Sequence, residues 1–221
     1  MNITDAITQR HSCRAFVNKA VSHDQIERML TAARHAPSGA NTQPWQVAVV
    51  SGNTKKTLQQ NIEHAFNAGE TSKLDYQYYP VSWKAPYKKR RSDCGLQLYA
   101  ALDITRGDAD RRRAQWAANY RSFDAPVMLL FFIDPIMETG SYLDYGMFLQ
   151  SIMLAAMEEG LATCAQAALA EYPQIVKQTL GYPDDQVLLC GMAIGYEDTD
   201  AAVNRYRTPR EDVSVFTQFF D

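Results

Sequence analysis

Two arginines and a hydroxyl lie within five residues near the start of the chain. The segment Arg10-His11-Ser12-Cys13-Arg14 follows a short amphipathic stretch. Arginine can meet a phosphate with two parallel hydrogen bonds, and a serine hydroxyl adds a neutral donor. The segment could therefore bind an anion. Taken alone, the segment better fits a solvated helix end, whose cations face the negative end of the helix dipole.

A second arginine pair, Arg205 and Arg207, lies in the polar tail. Together with Arg10 and Arg14 it could surround a single phosphate group, since a dianion accepts several charged hydrogen bonds. Taken alone, the tail pair also fits a solvated loop. Both interpretations stay open for this motif.

A polar segment between two predicted elements could bind a planar ligand. Residues 37–44, Pro-Ser-Gly-Ala-Asn-Thr-Gln-Pro, have the composition of a loop, and an apolar strand is predicted directly after them. Amide and hydroxyl groups on such a loop can hydrogen-bond the edge of a planar heterocycle. They could instead bond one another within a turn.

Several other chemistries have no support in the sequence. No G-x-G-x-x-G follows a strand, and neither a P-loop nor a G-x-S-x-G motif occurs. The cysteines form no C-x-x-C pair and the histidines show no metal-ligand spacing, so no metal site is predicted. Cys164 has no basic neighbour in the sequence to lower its pKa, which favours a buried thiol over a nucleophile.

Composition narrows the class of protein further. The chain has 221 residues, 46% of them apolar and 21% charged, with a net charge of −3. This predicts one globular domain over residues 1–221. The basic runs at 88–91 and 111–113 are interpreted as solvated surface, because a nucleic-acid binder is usually basic overall. No apolar run reaches the ~20 residues of a membrane span. The start of the chain lacks a secretory pattern, and with widely spaced cysteines this favours the cytoplasm.

Apolar periodicity predicts the elements that must position these residues. Ser22 and Gln25 form a capping box before a helix that ends ahead of Pro37. The helix 143–159 is apolar nearly all round, which is typical of a core or an interface, and Gly160 ends it. Further helices are predicted at 2–10, from Thr54 to about 66, at 94–103, 108–120 and 173–180, and strands at 45–50, 127–133 and 187–196.

Two segments stand apart from this pattern. Residues 67–90 are polar but hold five aromatics, and they are predicted to form a loop or a lid. The tail, 198–221, ends in three phenylalanines and is expected to be docked rather than free. The elements together predict an α+β fold with one mixed or antiparallel sheet flanked by helices.

The order and spacing of these segments resemble the FMN-dependent nitroreductase family, of the oxygen-insensitive, flavin reductase-like type. The resemblance runs nearly end to end. It rests on R-H-S-x-R at 10–14, A-P-S-G-A-N-T-Q-P-W at 36–45, N-Y-R-S-F-D-A-P at 119–126, L-D-Y-G-M-F-L-Q at 143–150, G-L-A-T-C-A-Q-A at 160–167 and N-R-Y-R-T-P-R-E at 204–211.

The resemblance implies an intertwined homodimer with FMN at the dimer interface and tail exchange through residues 203–221. One subunit would hold the phosphate end through the segment 10–14 and the tail arginines. The loop of the other subunit would reach the flavin. The stretch 165–167 would offer backbone to the ring edge, although it lacks the acidic residue and glycine of the enteric members. The implied cofactor-binding residues are Arg10, His11, Ser12, Arg14, Pro37, Ser38, Gly39, Asn41, Ala165, Gln166, Ala167, Arg205 and Arg207.

The implied activity is a ping-pong reduction of nitroaromatic compounds by NADH or NADPH. The flavin would carry the chemistry, so no catalytic side chain is assigned. The variable region 67–118 would select the substrate, with Trp83 and Tyr87 in the aromatic stretch as candidate contacts. Three alternatives stay open: a quinone, enone or halophenol as substrate; a protein that only sequesters flavin; and a dimeric interaction domain without a cofactor.

Overall fold

The structure is a computed structural model that describes residues 2–220. Most of the elements in these residues are helices. The helices are α1 (Ile3–Gln9), α2 (His23–Ala33), α3 (Gly52–Ala68), α4 (Tyr87–Ala101), α5 (Ala109–Ala117), α6 (Gly140–Glu158), α7 (Pro173–Leu180), α8 (Ala202–Arg205) and α9 (Val213–Phe216), and the strands are β1 (Gln46–Ser51), β2 (Val127–Ile133), β3 (Ala162–Gln166) and β4 (Val187–Gly195).

The four strands form one antiparallel sheet in the order β1-β2-β4-β3. Helices cover both faces. Residues of α2 and α6 pack on one face, and residues of α3 and α7 pack on the other. All seven residues of β2 are buried, which is the reason for its unbroken apolar sequence. β1 and β3 are the edge strands.

Several sequence predictions are confirmed. The capping box of Ser22 and Gln25 opens α2, and Gly160 follows the end of α6 with a φ of 68°. In β4, neighbouring groups approach the backbone closely at two glycines. A Cβ on Gly191 would lie 2.4 Å from a Leu169 methyl, and one on Gly195 would lie 2.6 Å from the Pro126 ring.

Other predictions were wrong. The strand β3 was not predicted, because its small residues (Ala162 to Gln166) lack the β-branched pattern of the other strands. The predicted loop 67–90 is too long, since α4 already begins at Tyr87. α3 begins at Gly52 rather than Thr54. The predicted mixed or antiparallel sheet is confirmed and is antiparallel; Ser12 and Thr163 add an isolated parallel bridge.

Apolar side chains are exposed on α6 and in the tail, among other places. On α6, Leu143 is 75% exposed and Met147 is also exposed. In the tail, Phe219 is 84% and Phe220 is 89% exposed. None of the helices within residues 2–220 is long and apolar enough to cross a membrane.

Candidate functional site

The first arginine segment lies beside the outer edge of β3. The backbone N–H of Cys13 donates to the carbonyl oxygen of Thr163 at 3.0 Å, and Ser12 forms the parallel bridge to the same residue. The tail is held against this segment by Asn204, a buried residue in α8. Its Oδ1 accepts from the backbone N–H of Arg14 at 2.8 Å, and its Nδ2 donates to the Ala15 carbonyl at 2.8 Å.

These contacts create a cleft of about 620 Å³ between the start of the chain, the tail and α4. We call it the arginine cleft. Its lining contains most of the cations that the sequence singled out, together with hydroxyl groups from the tail. The lining residues are Ile7, Thr8, Arg10, His11, Ser12, Arg14, Cys94, Val203, Tyr206, Arg207, Thr208 and Arg210.

The guanidinium groups of the arginine cleft have no carboxylate partner among residues 2–220. Arg14 and Arg207 instead donate to backbone carbonyls, those of Ser12 at 3.3 Å and Asn204 at 2.6 Å. Burial and the nearby charge of Arg210 lower the pKa of Arg10. Uncompensated positive charges that repel one another favour an anionic ligand, which would neutralise them.

Arg205 does not join this cluster. Its side chain turns back to its own loop, where Nη2 donates to the Asp200 carbonyl at 2.6 Å and lies 3.8 Å from the Asp200 carboxylate. Arg210, which was not assigned to the site from the sequence, lines the cleft in its place. The alternation of Arg205 and Arg207 in the sequence could not reveal this difference, because α8 ends between them.

His11 connects the arginine cleft to a neighbouring groove of about 460 Å³. Its Nε2 lies 2.9 Å from a Glu197 carboxylate oxygen, and its Nδ1 lies 3.2 Å from the Gln9 carbonyl oxygen. The groove also contains Met157 from the end of α6. His11 is therefore held by protein groups on both nitrogens, which suits a residue that positions the cleft more than one that contacts a ligand.

The edge of β3 continues from the arginine cleft with backbone groups that face away from β4. Thr163 points its carbonyl away from β4, toward Cys13. In an antiparallel pair this orientation repeats at every second residue, so the N–H and C=O of Ala165 also face the open edge. Ala165 is exposed. Gln166 points inward and donates to the Asn119 carbonyl at 2.9 Å, and Ala167 begins the turn that follows.

The loop 37–43 does not line the arginine cleft of its own chain. It packs at the start of α6, where the Gly39 N–H donates to the Asp144 carboxylate at 3.2 Å. Ala40, Asn41 and Gln43 all adopt positive φ angles, of 50°, 56° and 47°. Such strain costs about 1–3 kcal/mol per residue and is concentrated at ligand-binding sites. Pro37 and Asn41 are exposed, and Ser38 is half-buried.

The aromatic segment is anchored to β4 at Tyr76, which we call its root, and is exposed to solvent at Tyr87. The Tyr76 hydroxyl donates to the Leu189 carbonyl at 2.6 Å. A chain of ring contacts then runs through Tyr78 and Tyr79 to Trp83, with a final centroid distance of 5.7 Å. Tyr87 stands outside this chain and is 60% exposed. The segment is thus partly a packed cluster and partly an accessible surface.

The cysteine thiols also differ in whether they are buried or exposed. Cys164 is buried in β3, and burial raises its pKa; burial also raises the pKa of Cys13 to about 12. The prediction that Cys164 is a buried thiol is confirmed, although Arg14 and Arg10, which are distant in the sequence, act against burial to lower its pKa. Cys94 is exposed and lines the arginine cleft.

The fold and the cleft thus define an α+β protein with a cleft lined by arginines at one edge of its sheet. A sequence model of the nitroreductase family matches residues 7–196. The nitrobenzene nitroreductase of Ectopseudomonas oleovorans is 35% identical over 98% of this chain and 96% of its own length. The 4-nitrobenzoate reductase of Pseudomonas putida is 36% identical over 96% of this chain and 93% of its own.

A solved structure agrees with these relatives. The FMN and NADPH-dependent nitroreductase NfnB from Sphigopyxis sp. strain HMH superimposes with a TM-score of 0.96, at 38% identity and full coverage of both chains. The chain therefore belongs to the nitroreductase family, as its motifs indicated, and has the nitroreductase-like fold.

Proposed function

We propose that this protein is an FMN-dependent NAD(P)H oxidoreductase that reduces nitroaromatic compounds. The observation that carries the proposal is the arginine cleft, whose guanidiniums lack carboxylate partners among the described residues. Its location beside an open strand edge suits a ligand with a phosphate at one end and a flat polar ring at the other. The nitroaromatic substrates named for the two bacterial relatives favour this reaction over a quinone, enone or halophenol substrate.

The chemistry of the donors fits FMN. Arg10, Arg14, Arg207 and Arg210 would hold the phosphate with the Ser12 hydroxyl, each charged hydrogen bond being worth roughly 1.5–3 kcal/mol. The backbone of Ala165 would meet the polar edge of the ring system. Bound FMN supplies two-electron hydride transfer between a nicotinamide and an acceptor. The protein's own groups orient both reactants and exclude water.

A second copy of the chain is part of this proposal. Along α6, Asp144 beside the loop 37–43 and Met157 beside His11 are about 20 Å apart at 1.5 Å rise per residue. The loop 37–43 therefore lies too far along α6 to reach the arginine cleft of its own chain. In a homodimer packed through the apolar face of α6, the partner's loop could complete the site.

The proposal also covers the domain, the region that selects the acceptor, the tail and the compartment. We propose residues 1–221 as one domain, in which the region 67–118 selects the acceptor and the tail 203–221 embraces the partner. A planar, electron-poor acceptor would contact the rings of Tyr87 and Trp83. The free cysteines fit a reducing compartment, so we place the protein in the cytoplasm.

Reconstitution tests the proposal directly. The purified protein is incubated with FMN, reduced anaerobically by NADPH or NADH, and then mixed with nitrobenzene or 4-nitrobenzoate. We expect bleaching of the flavin absorbance by the nicotinamide and its return with the nitroaromatic. Tight flavin binding without reoxidation by either compound would instead identify a flavin-sequestering protein.

A further inference from the structure

The basic run at the start of α4 lies next to the arginine cleft. Cys94 lines that cleft from α4. Since residues three, four and seven positions apart share one face of a helix, Tyr87, Arg90 and Arg91 lie on the Cys94 face. Lys89 lies on the opposite face. The run is exposed, as its sequence suggested, and one of its faces is the one that carries Cys94.

The cations of this run differ in whether their charge is already neutralised. Arg90 pairs with Glu211 at 2.8 Å, and Lys89 pairs with Asp93. Arg91 has no carboxylate partner within residues 2–220, and neither has Lys88. Arg91 therefore remains as an uncompensated cation on the Cys94 face of α4, separate from the four arginines inside the cleft. Lys88 precedes it by three residues and is its neighbour on the helix surface.

Trp83 holds one of these cations in place. The Arg91 guanidinium lies 5.2 Å from the centroid of the Trp83 ring, which is within the range of a cation–π contact. A guanidinium stacked on a ring keeps its in-plane N–H groups directed outward, where they can bind a phosphate bidentately. Trp83 is itself supported by Tyr79, at 5.7 Å between ring centroids.

We propose that Arg91, assisted by Lys88, binds the 2′-phosphate of NADPH and makes the enzyme prefer NADPH to NADH. This inference rests on the proposed function. The 2′-phosphate is the group that distinguishes the two nicotinamides. It is a dianion that free cations can bind, whereas NADH carries a neutral hydroxyl at this position. The arginines inside the cleft are committed to the FMN phosphate, so a second phosphate requires the separate cations of α4.

The test uses FMN-loaded protein with the variant Arg91→Met and the control Lys89→Met. The control loses the same charge from the same helix, but from the opposite face. Anaerobic stopped-flow reduction gives the half-saturating concentration of NADPH and of NADH. For Arg91→Met we expect a rise of roughly tenfold or more for NADPH and less than about twofold for NADH, because a charged hydrogen bond is lost only with the phosphorylated nucleotide. Lys89→Met should match the parent protein with both.

A binding measurement without turnover accompanies the kinetics. Calorimetric titration with adenosine 2′,5′-bisphosphate and with adenosine 5′-monophosphate should show that Arg91→Met weakens only the bisphosphate. An equal loss with both nicotinamides, a loss of FMN, or a rise in KM confined to 4-nitrobenzoate would each overturn the assignment. If neither nicotinamide reduces the parent protein's flavin, the proposed function fails first, and the inference fails with it.

Discussion

At the scale of single residues, the two tail arginines make a matched pair for testing the phosphate site. Arg207 lines the arginine cleft, whereas Arg205 bonds back to Asp200. We expect the double variant Arg14→Ala with Arg207→Ala to fold but to be colourless, because two charged donors to the phosphate are lost at roughly 1.5–3 kcal/mol each. The measurement is FMN occupancy after gel filtration, with circular dichroism as the check on folding.

Arg205→Ala is the control for this experiment. It removes the same charge from the same tail, and we expect its FMN occupancy to equal that of the parent protein. Full occupancy in the double variant, or equal loss in Arg205→Ala, would show that the phosphate lies elsewhere.

Tyr87 supports a second prediction at the same scale. Its exposed ring on the cleft face of α4 can stack on a planar acceptor, worth roughly 0.5–1.5 kcal/mol. Tyr87→Ala should therefore raise KM for nitroaromatics about 2- to 10-fold with FMN still bound. Reduction of the flavin by nicotinamide should change less. Trp83→Ala should act more broadly, since Trp83 also supports Arg91.

Rapid-mixing kinetics separate these effects into the two half-reactions. Loss of both half-reactions together with loss of flavin from Tyr87→Ala would mean that the aromatic segment is structural and not a substrate contact.

At the scale of elements, a buried ion pair joins the root of the aromatic segment to α7. The Lys177 ammonium, 3% exposed, lies 3.0 Å from the Asp75 carboxylate and also donates to the carbonyls of Asp184 and Gln186. Asp75 in turn accepts from the Leu188 N–H at 2.9 Å. Asp75→Ala should lower the free energy of unfolding by about 3–5 kcal/mol, because it leaves a buried charge without its partner.

Urea denaturation measures this loss, and a surface pair provides the comparison. Asp93→Ala breaks the exposed Lys89–Asp93 pair, for which about 0–1 kcal/mol is expected. Similar losses from the two substitutions would mean that Asp75 does not anchor the segment.

At the scale of the whole molecule, the exposed apolar surfaces of α6 and the tail predict an obligate homodimer. The interfaces of obligate homodimers bury about 2,000 Å² or more and resemble a hydrophobic core cut in half. A chain truncated after Ala202 should lose FMN and aggregate, since it lacks both Asn204 and Arg207. A chain truncated after Glu211 keeps the arginine cleft but loses the aromatic end, so it should lose dimer stability first.

Sedimentation velocity and flavin absorbance report on both truncated chains. If the chain that ends at Glu211 remains a stable yellow dimer at micromolar concentration, residues 212–221 have no role in assembly.

Several elements of this protein could be predicted from its sequence, because they depend on local chemistry. The capping box of α2, the buried run of β2 and the glycine after α6 were predictable because each depends on neighbouring residues or on a simple period. The family resemblance likewise rested on short motifs and their order. β3 escaped prediction because a strand of small residues is stabilised by its partner β4 and not by its own propensity.

Only the tertiary structure decided which of the candidate site residues lie together. Arg10 and Arg207 meet because Asn204 ties the tail to the first segment, a contact across nearly the whole chain. The same packing turns Arg205 away and admits Arg210. The basic run of α4 acquires a candidate role only because Cys94 brings one face of that helix to the cleft. Charge and residue type are local properties, whereas the set of charges left without a partner is a property of the fold.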